Sequence, residues 1–183
     1  QLWGKSGLPP VINDYLALVR RFNDRRGSTG PELMFYPGSP WIAKLLLRPQ
    51  DRMVLCELRP DDAEALDFDF ARESGVRVLA MDGYTGIKAQ LPPLEKRALV
   101  LIDPPFEEKS EFSAVAQGVS DALRRLPGAV CAVWYPITER VRTDEIRQTL
   151  LELDAPALYA ELKIAGDGSL LRIPGSACWY AYA

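Results

Sequence analysis

The sequence predicts an α/β fold: a mostly parallel sheet with helices on both faces, ending in an antiparallel hairpin. Three observations carry this reading. Strand-like and helix-like segments alternate along the chain from residue 52 onward. The strand-like segments are near-continuous apolar runs, such as 97–102 (RALVLI) and 129–135 (AVCAVWY), as strands covered on both faces must be. The last two strand-like runs, 157–164 and 177–182, follow one another with no helical pattern between them. That spacing suits a hairpin.

The elements follow in order. Residues 9–24 place Val11, Ile12, Tyr15, Leu16, Val19 and Phe22 at helical spacing, and Pro9 and Pro10 suit a first turn. Arg20, Arg21, Arg25 and Arg26 crowd the end of this helix, where cations suit its dipole. A polar loop, 27–31, follows and marks a boundary: a helical segment over 1–34, then the main domain over 35–183. Tyr36-Pro37-Gly38-Ser39-Pro40 is a tight loop, and 41–47 a short helix. Strands are expected at 52–58, 76–81, 97–102 and 129–135. Helices are expected between them at 61–73, 84–90 and 111–126, and then at 143–153. Acidic residues open the first of these helices, and Pro92-Pro93 closes the second.

Composition narrows the function classes. The chain has 183 residues, 48% of them hydrophobic and 26% charged, which suits one globular domain of ordinary size. No apolar run approaches the ~20 residues of a membrane span. The net charge of −3 rules out a bulk basic surface, so any nucleic acid must dock on a local patch. There is no histidine, which removes Ser-His-Asp and Cys-His catalysis and histidine-ligated metals. The three cysteines (Cys56, Cys131, Cys178) lie far apart and form no zinc spacing, so no metal is expected. They read as free thiols of a reducing, cytoplasmic compartment.

In an open α/β sheet, ligands bind beyond the carboxyl ends of the strands. Three successive strands deliver an acid there: Glu57 after the first, Asp82-Gly83 after the second, and Asp103 after the third. A lone acid at such a place is usually a helix cap or a turn residue. An ordered set of three is harder to dismiss, because like charges repel unless they bind something.

The sharpest feature is Asp103-Pro104-Pro105-Phe106. Two prolines fix two φ angles and remove two N–H donors while their carbonyls stay available. A carboxylate beside such a carbonyl can hold both protons of an exocyclic amine, and an aromatic ring nearby can stack on the base. N6-methylation of an adenine needs that arrangement. The amine lone pair is delocalised into the ring, and two acceptors pulling on its protons favour a tetrahedral nitrogen.

A strand followed by Asp-Pro-Pro-Phe resembles motif IV of the amino methyltransferases. More narrowly, the chain resembles the RlmJ family, the 23S ribosomal RNA adenine-N6 methyltransferases. The resemblance rests on FYPGSPWIAKLLLR (35–48), CELRPDD (56–62), MDGYTGIKAQLPP (81–93), LVLIDPPFEEKSEF (99–112) and AVWYP (132–136), in the family's order. It implies a Rossmann-like class I fold that uses S-adenosylmethionine. Ser39 would contact this cofactor, Glu57 its ribose, and Asp82 and Gly83 its adenine. Asp103, which also borders the cofactor site, would hold the target amine and accept its proton beside Pro104, and Phe106 would stack on the flipped base. Tyr36 and Tyr135 would line the pocket. Lys5, Arg20, Arg21, Arg25 and Arg26 are candidate phosphate contacts on the RNA, with a monomer as the expected state. The family's histidine-bearing first segment and glycine-rich loop have no counterpart here, so the domain is expected to be incomplete at its N-terminus, without the central strand. Two other readings remain open at this point: a DNA adenine-N6 methyltransferase, and a non-catalytic module that binds RNA or protein.

Overall fold

A computed structural model describes residues 6–28, 30, 32–106, 108, 110–137, 140–153, 155–162 and 175–181. The chain divides into two compact units, residues 1–80 and 81–183. The boundary expected after residue 34 falls inside the first unit, where the N-terminal helix shares its core with the segments that follow.

The first unit holds α1 (Pro10–Arg25), α2 (Ser39–Leu46), β1 (Met53–Glu57), α3 (Pro60–Phe70) and β2 (Val76–Ala80). Proline lies in the first turn of each of the three helices, where a missing N–H costs nothing. β1 and β2 pair in parallel, Met53 beside Val76 and Glu57 beside Ala80. A core of Phe22, Trp41, Leu45 and Phe70 joins α1, α2 and α3. Trp41 stacks on Phe70 at 4.5 Å between ring centroids.

The second unit holds α4 (Gly83–Gln90), β3 (Leu99–Ile102), α5 (Ser110–Arg125), β4 (Val130–Ile137), α6 (Arg140–Leu151), β5 (Ala157–Leu162) and β6 (Gly175–Ala181). Its sheet has the order β3-β4-β6-β5. β3 and β4 are parallel, and β6 lies between β4 and β5, antiparallel to both. The expected terminal hairpin is therefore present, with its last strand folded inward. Residues 163–164 and 182 of the expected hairpin lie outside the described residues.

Alternation along the strands sets the two faces of this sheet. Val100, Ile102, Cys131, Val133 and Tyr135 point into the core with Val115, Val119 and Ala122 of α5 and Ile146 and Leu150 of α6. Leu99 and Leu101 point the other way and are 71% and 54% exposed. Helices were expected on both faces; those described in this unit share the core of one face. Along the α4–α5 seam the ring of Tyr84 lies against Gly118, where a Cβ would stand 2.7 Å from Tyr84 Cδ1. Farther along, the buried Asp121 carboxylate takes Lys88 at 3.3 Å and Arg124 at 2.5 Å.

Candidate active site

Three strand ends supply the acids, as the sequence predicts. Glu57 is the last residue of β1, half-buried, and its Oε1 accepts the Arg59 N–H at 2.9 Å. Asp82 follows β2 and caps α4: its Oδ2 accepts the Thr85 N–H at 2.7 Å. Burial alone pushes this carboxyl up, but the N–H groups of Thr85 and Tyr84 and the Lys88 charge bring it below the ordinary carboxylate range. Gly83 is the first residue of α4 and is exposed. Asp103 follows β3. Its carboxyl is pushed above the ordinary range by desolvation. Asp82 and Asp103 thus have opposite leanings: one holds charge, the other resists it.

Phe106 adopts φ +53°, in the left-handed region that non-glycine residues avoid. An aromatic side chain there costs about 1–2 kcal/mol relative to glycine. Its ring meets that of Phe112 in the first turns of α5 at 5.0 Å. One residue earlier, Glu111 has a buried Oε2 without a hydrogen-bond partner. Tyr84 has a buried hydroxyl in the same condition. Its phenol is pushed to about 12, by burial first and then by the charges of Glu111 and Asp82. Within the second unit, Tyr84, Glu111 and Phe112 therefore link the Asp82 end of α4 to the Asp103–Phe106 loop. None of these three was singled out from sequence. A tyrosine directly after Asp82-Gly83 is the one sequence signal for the first.

Other expected residues are placed as follows. Ser39 opens α2 in the first unit and is exposed. Tyr36 is 76% exposed, and its hydroxyl accepts that of Tyr15 at 2.5 Å. Pro104 is half-buried. Tyr135 requires a correction: expected to line the pocket, it is fully buried in the core. It shares the helix-covered face with Cys131 and Val133, and the strand's period of two puts it there. Arg25 and Arg26, the expected phosphate contacts, are engaged within the protein. They form ion pairs with Glu73 and Asp69 and lie over the Trp41 ring at 5.5 and 5.3 Å. Arg21 donates to the Leu45 carbonyl and Arg20 to that of Gly30. Lys5 lies outside the described residues.

The family model described as "Ribosomal RNA large subunit methyltransferase D, RlmJ" matches residues 1–179. The chain belongs to the RlmJ family. Ribosomal RNA large subunit methyltransferase J of Escherichia coli (strain K12) is 38% identical over 164 residues, which is 90% of this chain and 56% of that protein. The chain thus spans about half the length of this RlmJ relative. A solved structure from Legionella pneumophila superposes with a TM-score of 0.84 at 29% identity, over 98% of this chain and 66% of that one. Precorrin-6y C5,15-methyltransferase of Geobacter metallireducens shares the fold at a TM-score of 0.56 and 15% identity, over 80% and 76% of the two chains. The α/β architecture of this RlmJ chain is that of the class I methyltransferases.

Proposed function

We propose that this chain carries the adenine-holding half of a ribosomal RNA N6-methyltransferase that uses S-adenosylmethionine. The observation that carries the reading is the Asp103–Phe106 loop: an exposed carboxyl, a proline carbonyl and an aromatic ring held in a strained backbone, directly beyond a parallel strand. Membership of a family named for ribosomal RNA methyltransferases supports it.

The residues fit the cofactor by their chemistry. Glu57 offers a carboxylate for a vicinal diol, and Asp82 an acceptor whose charge is secured by its cap. Ser39 and Gly83 are exposed beside turns. When bound, S-adenosylmethionine supplies a methyl group on a positively charged sulfur. The chain's own part is to present the amine. Asp103 Oδ accepts one N6 proton and the Pro104 carbonyl the other, which draws the nitrogen toward a tetrahedral shape. The amine must shed a proton as it gains its fourth bond. Asp103 takes it, and its raised affinity for a proton suits that task. Phe106 covers the face of the flipped base. In this reading the protein acts on its RNA in the cytoplasm, without a metal and as a monomer. No helix among the described residues is long and apolar enough to cross a membrane.

The experiment is transfer of labelled methyl from S-adenosylmethionine to unmodified 23S ribosomal RNA, with DNA of the same sequence in parallel. Transfer to RNA that Asp103→Asn reduces by at least about 100-fold supports the reading. Transfer that survives the substitution removes Asp103 from the chemistry, and equal transfer to DNA removes the RNA preference.

A further inference from the structure

The loop that leads into α2 exposes three large apolar side chains in a row. Met34 is 67% exposed, Phe35 46% and Tyr36 76%. Surface loops of this composition are ordinarily loose. This one is pinned. Asn23, fully buried on α1, spends its whole amide on the loop and on its own helix. Its Oδ1 accepts the N–H groups of Met34 and Phe35, each at 2.9 Å. Its Nδ2 donates to the Phe35 carbonyl at 2.8 Å and to the Val19 carbonyl at 2.9 Å. Pro37 is fully buried, and Tyr15 holds the Tyr36 hydroxyl. A buried polar clamp and an anchored proline thus fix a backbone whose side chains face water.

We infer that Met34, Phe35 and Tyr36 form a preorganised stacking platform for unpaired nucleotides of the RNA, distinct from the loop that holds the target adenine. The inference deepens the reading of an RNA substrate and rests on it. Rings on a fixed backbone have little left to lose on binding, and every base offers them a face. Phe35 and Tyr36 border a cleft of about 400 Å³ with Arg26, Trp41 and Asp69, and the Asp69 carboxylate is paired with Arg26. The charge nearby suits a polyanion: Glu73 serves both Arg25 and Lys44, so one carboxylate answers two cations. The outer face of α3 behaves oppositely. Its depression of about 760 Å³ is lined by Asp61, Asp62 and Glu64, which repel phosphate.

The test is fluorescence anisotropy of a labelled oligoadenylate titrated with the chain, without cofactor. Tyr36→Leu keeps apolar bulk and removes the ring; Tyr36→Phe keeps the ring and removes the hydroxyl. Tyr36→Leu should weaken binding about 5- to 150-fold, with the salt dependence unchanged because no phosphate contact is lost. Tyr36→Phe should bind within about 2-fold of wild type. Thermal melts of both variants should match wild type, since the side chain is exposed. The inference is overturned if the wild-type chain does not bind the oligoadenylate, if Tyr36→Leu binds as wild type does, or if Tyr36→Phe loses as much as Tyr36→Leu. A concentration-dependent dimer that Tyr36→Leu dissolves also overturns it, because a second copy then owns the surface. Titration of the same samples with S-adenosylhomocysteine separates the two claims. RNA binding without cofactor binding leaves the platform standing and removes the cofactor site; the reverse removes the platform alone.

Discussion

Desolvation raises the Asp103 carboxyl above the unfolded aspartate value of about 4. The folded state therefore binds this proton more tightly than the unfolded chain does. The sign follows: stability is fullest below the unfolded value and falls as pH rises toward the folded one. Asp103 is exposed, so solvent screens the ionised group and its effect on stability at pH 7 is small. Asp103→Asn should melt no lower than wild type at pH 7, and the difference should vanish at low pH, while methyl transfer is lost. A lower melting temperature in the variant would mean that the carboxylate has a stabilising partner. Phe106 makes the same argument with its backbone. Alanine is ordinarily the more stable small residue, but at φ +53° glycine escapes the clash of a Cβ. Phe106→Gly should therefore be more stable than Phe106→Ala by about 1 kcal/mol in denaturant unfolding. The reverse order would show that the loop does not hold the left-handed conformation.

Among the elements, the α4–α5 seam decides a substitution whose sign propensity alone would misjudge. Glycine inside a helix costs roughly 1 kcal/mol relative to alanine. At Gly118 of α5, however, an added Cβ meets the Tyr84 ring at 2.7 Å, and a ring cannot swing aside like the tip of a flexible chain. Overpacking of this kind costs about 1–3 kcal/mol, so Gly118→Ala should be destabilising overall. Urea unfolding of the pair would show it, and a stabilised variant would mean that the seam yields. The elements themselves were legible because apolar runs and helical spacing report local burial. Boundaries moved where proline extended a helix: α3 begins at Pro60 and α2 at Ser39, before the first apolar residue of either pattern. The acids at the strand ends were legible from their place in the chain. Tyr84, Glu111, Phe112 and Asn23 were not. Each acts across elements, and a tyrosine that packs on a glycine in another helix leaves no local mark. The pocket role of Tyr135 came from the resemblance alone, while the register of β4 carries its side chain into the core.

On the scale of the molecule, two cores stand behind the proposed chemistry: the aromatic cluster of Phe22, Trp41 and Phe70 in the first unit, and the aliphatic one of Val115, Val119, Val133 and Leu150 in the second. Ser39 and Glu57 belong to the first unit, Asp82, Gly83 and Asp103 to the second. The proposal assigns these five residues to the cofactor. This is the central claim of the proposal, and calorimetric titration of the chain with S-adenosylhomocysteine tests it most directly. Glu57→Gln and Asp82→Asn keep shape and, for Asn, the ability to cap a helix. The account predicts binding in the micromolar range that each substitution weakens about 10-fold or more, the worth of one charge-assisted hydrogen bond. No binding at millimolar ligand, or equal binding by both variants, would contradict it.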